Sequence, residues 1–220
     1  MKVFCVIPSW NCAETLPEVI NSLRDKVDRI VVVDDGSSDN TAELLSNQQI
    51  DFIKHPINRG QGAALKTGTE HALNEDAEII IHFDADGQFS ASDIENVIEP
   101  ISNKTADIVF GSRFLNNKTV MPILKKRIIM PMARFINRWL FNIKLTDPQS
   151  GFRALSRRAA EKINWQQDRM AHCSEILVEA HASGLSIKEV PIKVTYNDFG
   201  QRFGGGLSIL KDLFIAKLNK

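Results

Sequence analysis

A chain of 220 residues with 43% apolar and 25% charged side chains has the make-up of one globular domain, long enough to bury a core without staples. Its 27 basic and 27 acidic residues cancel to zero formal charge, which argues against a nucleic-acid-binding protein. Three widely separated cysteines (Cys5, Cys12, Cys173) give neither a disulfide framework nor zinc spacing. With no leader and no run near the ~18 apolar residues of a membrane span, a cytoplasmic setting is expected.

The first half alternates. An apolar run over 3–7 predicts a buried strand, and Leu16, Val19, Ile20 and Leu23 predict a helix over 14–23. A β-branched strand over 29–33 ends in Asp34-Asp35-Gly36-Ser37, after which Asp39 is positioned to cap a helix through Leu45. A short strand over 51–53 and the loop Asn58-Arg59-Gly60-Gln61-Gly62 lead into a helix over 63–73. A strand over 78–83, a helix over 93–101 and a strand over 107–110 follow. This order predicts βαβ units: a single-domain α/β fold whose mainly parallel, Rossmann-like central sheet is flanked by helices.

The charges are unevenly spread. No Asp or Glu occurs from Ile108 to Thr146, while Arg113, Lys118, Lys125, Lys126, Arg127, Arg134, Arg138 and Lys144 do. Leu124, Ile128, Met132, Phe135 and Trp139 recur at helical spacing there, with Arg127, Arg134 and Arg138 on an adjacent face and Pro131 splitting the stretch. Such basic amphipathic helices suit a membrane interface or a packed core face. The run over 207–220 is also broadly apolar with lysines around it, fitting the domain, lipid or a separate membrane subunit.

Chemistry concentrates at strand ends. After Ile79-Ile80-Ile81-His82-Phe83 come Asp84-Ala85-Asp86-Gly87-Gln88. Residues two apart on a strand share a face, so Asp84 and Asp86 can aim at one point beyond its C-terminal end. Ligands bind there in open α/β sheets, and paired hard oxygens suit Mg²⁺ or Mn²⁺ carrying a phosphate-bearing substrate. Trp10, after the first strand, can stack on a base, and an acid after the second can accept from a base or ribose. The glycine loop lacks both the GxGxxG spacing and the Walker lysine, so NAD and P-loop readings are excluded; close helix packing is its other reading. Asp147, before Pro148, is placed to orient an arginine, to act as a base, or only to shape a turn. His82 reads as structural, and Glu175 and Glu179 as surface charges of a helix.

These motifs together resemble the family-two glycosyltransferases of GT-A fold, most nearly the dolichyl- or polyprenyl-phosphate hexose synthases. The resemblance runs through Ile7-Pro8-Ser9-Trp10-Asn11, Val32-Val33-Asp34-Asp35-Gly36-Ser37, Asn58 to Gly62, Asp84 to Gln88, Gly111-Ser112-Arg113, Asp147 to Leu155 and Ile187 to Pro191. It implies a nucleotide-sugar-binding half over 1–112 and an acceptor half over 113–220. It implies that Pro8, Trp10, Asn11, Val33 and Asp35 hold the nucleoside. Asp84, Ala85 and Asp86 would bind diphosphate and metal, with Gln88 completing the metal shell. Arg113 would face phosphates or sugar, and Arg202 would close over the diphosphate. The expected activity is inverting transfer of a hexose, from a GDP-mannose or UDP-glucose type donor to a polyprenyl or dolichyl phosphate, peripheral on the cytoplasmic face of a membrane. Asp86, Arg113 and Asp147 are the candidate catalytic residues. Transfer to a saccharide or other hydroxyl is the alternative within the family. Cys12 stands where the family often has Glu, which leaves the base unassigned. Haloacid-dehalogenase-type phosphatases share the Asp-x-Asp-Gly loop, but the Gly-Asp metal loop they need does not follow it.

Overall fold

In the computed structural model, residues 1–46, 48, 50–115 and 145–195 are described. The elements in chain order are β1 (Val3–Ser9), α1 (Leu16–Leu23), β2 (Arg29–Asp34), α2 (Thr41–Ser46), β3 (Asp51–Lys54), α3 (Gln61–Asn74) and β4 (Ile79–His82). A 3₁₀ turn (Ala91–Asp93) leads into α4 (Ile94–Ser102) and β5 (Ile108–Ser112). After the basic stretch come β6 (Arg153–Ser156), α5 (Arg157–Lys162), α6 (His172–Ala182) and β7 (Ile187–Pro191).

The strands form one seven-stranded sheet in the order β3-β2-β1-β4-β6-β5-β7. Pairing is parallel except at β6, which runs antiparallel to both β4 and β5. Alternation along the strands splits the core. Phe4, Val6, Val31, Val33 and Ile80 pack with Ala64 and Leu65 of α3 and with Ile176 and Leu177 of α6. Cys5, Ile7, Val32, Ile79 and Ile81 pack on the other face with α1, Leu45 of α2 and α4. Helices on both faces explain why the strands read as unbroken apolar runs.

Helix α1 shows how little the local fold needs. Its four spaced apolar residues, Leu16, Val19, Ile20 and Leu23, are all buried, and Pro17 sits in the first turn, where a missing N–H costs nothing. Burying each contributes about 1.5–3 kcal/mol. Boundaries shift slightly from expectation. The Asp39 carboxylate does take the Thr41 amide at 3.0 Å, but the first intrahelical acceptor is the Asn40 carbonyl, so Asn40 occupies the cap position itself. Strand β6 carries no alternation that marks it in advance, and it inserts between β4 and β5. Both halves of the chain therefore share one sheet. The amphipathic pattern over 124–139, the run over 207–220 and Arg202 lie outside the described residues. Among the described residues no helix is long and apolar enough to cross a membrane.

Candidate active site

The turn after β4 is anchored before it turns. Phe83 packs edge-on against Phe89 (centroids 5.7 Å apart) and Phe152 (5.1 Å), and the Thr15 hydroxyl donates to the Ala85 carbonyl at 2.7 Å. Asp84 and the exposed Asp86 emerge from this base. Asp84 Oδ1 accepts from Gln61 Nε2 at 2.8 Å, and Asp86 Oδ1 accepts from the Gln88 amide at 3.0 Å. Asp84 as a residue is half-buried, yet its carboxyl is closely enclosed: a Cβ on Gly151 would lie 2.5 Å from Oδ2 and 2.9 Å from Oδ1. Burial first, then the charges of Asp86 and Cys173, push Asp84 up to about 7, with Arg153 and His172 opposing. Burial also raises Asp86, against the Gln88 amide.

Among the described residues no three His, Cys, Asp or Glu side chains converge. The donor chemistry nevertheless fits a hard divalent cation. Two carboxylates share one strand tip, each accepting from a neutral donor, and the charge of Asp86 helps to raise Asp84. A substrate phosphate, Gln88 and water are the natural sources of the other ligands.

The acids after β2 are arranged otherwise. Asp35 is buried and accepts from the amides of Arg59 (3.0 Å) and Gly60 (2.6 Å), with His55 Nδ1 at 2.7 Å; His55 Nε2 reaches the Thr67 hydroxyl at 3.0 Å. Asp34 accepts from the Ser37 amide at 2.9 Å. Asp35, expected to face a nucleoside, thus spends its acceptors on the glycine loop. The glycines serve packing. Gly60 has φ +117°, and a Cβ there would meet the Asp168 carbonyl at 2.4 Å; one on Gly62 would meet the Gln167 carbonyl at 2.2 Å.

The other expected residues fall as follows. Trp10 is 55% exposed just past the C-terminal end of β1, open for stacking. Asn11 locks the first loop to the second: its amide donates to Ser37 Oγ and its Oδ1 accepts from the Ser38 amide, both at 2.9 Å. Pro8 pairs with Val33, and both are buried. Asp147 is fully buried. Its carboxylate takes Arg113 Nε at 2.6 Å and Nη2 at 2.8 Å, a bidentate pair, while Glu189 holds the Thr146 and Asp147 amides at 2.7 Å each. Of the three readings for Asp147, orientation of Arg113 is the one this geometry performs.

Sequence reasoning missed several contributors. Gln61 braces Asp84, and Glu175, expected to be a solvated charge, accepts the Gln166 and Gln167 amides at 2.9 and 2.8 Å. Arg153, His172 and Cys173 form a buried hydrogen-bonded cluster behind Asp84. Only Gly151 and Arg153 carried a signal, inside the Ser150-Gly151-Phe152-Arg153 run. His82 is structural as expected, buried between Thr69 and Trp165. A cavity lined by Arg24, Arg29 and Asp51 opens where β2 and β3 begin, opposite the carboxylates; Arg29 there is already paired with Asp51 and Glu75.

The family model described as Glycosyl transferase family 2 matches residues 4–164. The chain is 35% identical over 244 residues to the UDP-N-acetylglucosamine--dolichyl-phosphate N-acetylglucosaminyltransferase of Methanococcus voltae, covering 99% of this chain and 97% of that protein. It is 28% identical over 225 residues to the polyprenol monophosphomannose synthase of Mycolicibacterium smegmatis, covering 97% and 84%. Glucosyl-3-phosphoglycerate synthase of Mycobacterium tuberculosis, solved with Mn²⁺, UDP and glucosyl-3-phosphoglycerate, shares the fold with a TM-score of 0.74. That match is 19% identical and covers 99% of this chain and 78% of that one.

Proposed function

This chain belongs to glycosyl transferase family 2, and from that premise we propose that it moves a hexose, with inversion, from a nucleoside-diphosphate sugar to a polyprenyl or dolichyl phosphate at the cytoplasmic face of a membrane. The two carboxylates at the tip of β4 carry this reading, because among the described residues neither forms a salt bridge and each accepts from a neutral donor. Asp84 and Asp86, with Gln88, would hold Mg²⁺ or Mn²⁺. A divalent ion there supplies Lewis-acid stabilisation of the departing diphosphate. The chain's own work is positional: Trp10 and Asn11 border the nucleoside, Gln61 and Gly151 fix Asp84, and Asp147 aims Arg113 at developing negative charge. Arg202 is the further phosphate contact this proposal needs.

The Arg113–Asp147 pair also favours a phosphate acceptor. A sugar hydroxyl needs a general base to remove its proton, whereas a lipid phosphate is already ionised. Both Asp147 oxygens are committed to Arg113, which supports the phosphate acceptor over the hydroxyl one. Membrane attachment falls to the acid-free basic stretch, or to a separate membrane subunit.

The donor follows from relatives only as a class. The Methanococcus voltae protein is named for UDP-N-acetylglucosamine and the Mycolicibacterium smegmatis protein for mannose, so both UDP- and GDP-sugars belong in the test. The experiment is a panel of these donors with vesicles containing dolichyl phosphate, with Mn²⁺ or EDTA, read by mass spectrometry of the lipid. A lipid-linked monophosphate sugar, lost with EDTA, is expected. Transfer only to free saccharides would overturn the acceptor assignment, and transfer unaffected by EDTA would overturn the cation.

A further inference from the structure

Behind Asp84 the fold buries a charge that the proposed chemistry leaves unused. Arg153 is fully buried on β6, opposite His82 of β4. Its Nη2 donates to Cys173 Sγ at 3.2 Å and its Nε to the Gly151 carbonyl at 3.4 Å; its buried Nη1 has no partner among the described residues. His172, also buried, places Nε2 3.4 Å from the same sulfur and donates from Nδ1 to the Arg169 carbonyl at 2.8 Å.

A guanidinium removed from water needs an anion close by. No carboxylate among the described residues bonds this one, so its hydrogen-bonded acidic partner is the Cys173 sulfur. Burial pushes that thiol up, but the charges and hydrogen bonds of Arg153 and His172 draw it down to about 6. The same charges act on His82, which burial, then Arg153 and His172, hold well below the usual histidine range. The other end of Arg153 reaches Gly151, whose bare backbone is the surface against which the Asp84 carboxylate rests.

We infer that Arg153, anchored by the Cys173 sulfur, is a positioning residue for the cation and diphosphate corner, holding Gly151 so that Asp84 stays in line with Asp86. This rests on the proposed cation role of that acid pair. Loss of a group that orients a metal ligand typically weakens metal affinity by about 10–100-fold. A buried pair that only stabilised the core would change the melting temperature and leave affinity per folded molecule alone.

The test counts free Mn²⁺ by electron paramagnetic resonance as the full-length protein is titrated, without donor or acceptor, for wild type, Arg153→Lys, Cys173→Ala and Asp86→Ala. Folding is checked by circular dichroism. Arg153→Lys keeps the charge and loses the Nε contact; roughly tenfold weaker Mn²⁺ binding is expected, with a smaller loss for Cys173→Ala. Folded Arg153→Lys with wild-type affinity overturns the inference while the proposed function stands. Should Arg153→Lys fail to fold, Cys173→Ala decides, and unchanged affinity there overturns it equally. If wild type binds no more Mn²⁺ than Asp86→Ala, the cation role fails first, and the inference with it.

Discussion

Two acid pairs sit at the C-terminal tips of the parallel strands on either side of β1, and they do opposite things. Asp34 and Asp35, after β2, are buried and take amide donors from Ser37, Arg59 and Gly60. Asp84 and Asp86, after β4, take one side-chain amide and one turn amide between them. Asp35 is satisfied by its own chain and clamps the glycine loop, while the buried Asp34 Oδ2 has no partner among the described residues. The second pair is left to something from outside. Residue type and strand position are shared, so the supply of internal donors separates a clamp from a binding site.

The sharpest way to break this contrast is Asp86→Ala. Removing an exposed ligand of the corner should cut transfer by about 10³-fold, while thermal melting stays near wild type. Retained turnover to the lipid product would remove Asp86 from the chemistry. Gly151→Ala comes next. The added methyl would press on the Asp84 oxygens, so turnover should fall on the order of 10²-fold, with a smaller change in stability. Steady-state kinetics beside a melting curve separates the two effects.

The clamp should respond in the other currency. Asp35→Asn weakens the acceptance of two backbone amides and His55, and a stability loss of about 3 kcal/mol is expected from urea unfolding. A loss below about 0.5 kcal/mol would erase the distinction between the pairs.

A further effect concerns pH. Asp84 is pushed up to about 7 in the fold, against ~3.9 in an unfolded chain. A carboxyl whose folded value is raised binds its proton more tightly when folded. Its contribution is therefore fully present below about pH 4 and is lost as pH rises through about 7. In metal-free protein, Asp84→Asn should flatten that decline in a melting series from pH 4 to 8. Added Mn²⁺ should stabilise wild type more at pH 8 than at pH 5, because the ionised pair is what it binds.

Much was legible in the chain. The strand and helix order through β5, the helix face of α1, and the acid pair at the tip of β4 follow from apolar periodicity and from carboxylates ending an apolar run. Such signals are local: a few consecutive residues fix both the element and the face it buries. The structural reading of His82 held for the same reason, since it lies within the continuous core run of β4.

What the sequence by itself determined is the alternating α/β plan and the chemistry available at its strand ends. Only the tertiary structure decided that β6 enters antiparallel between β4 and β5, that Asp147 serves Arg113, and that Glu175 caps a loop. It likewise decided that Asp35 is consumed internally while Asp84 rests on Gly151 with Arg153 and Cys173 behind it. A carboxylate's role depends on which donors reach it, and those donors come from residues far away in the chain. No spacing within a segment encodes them until the sheet has closed.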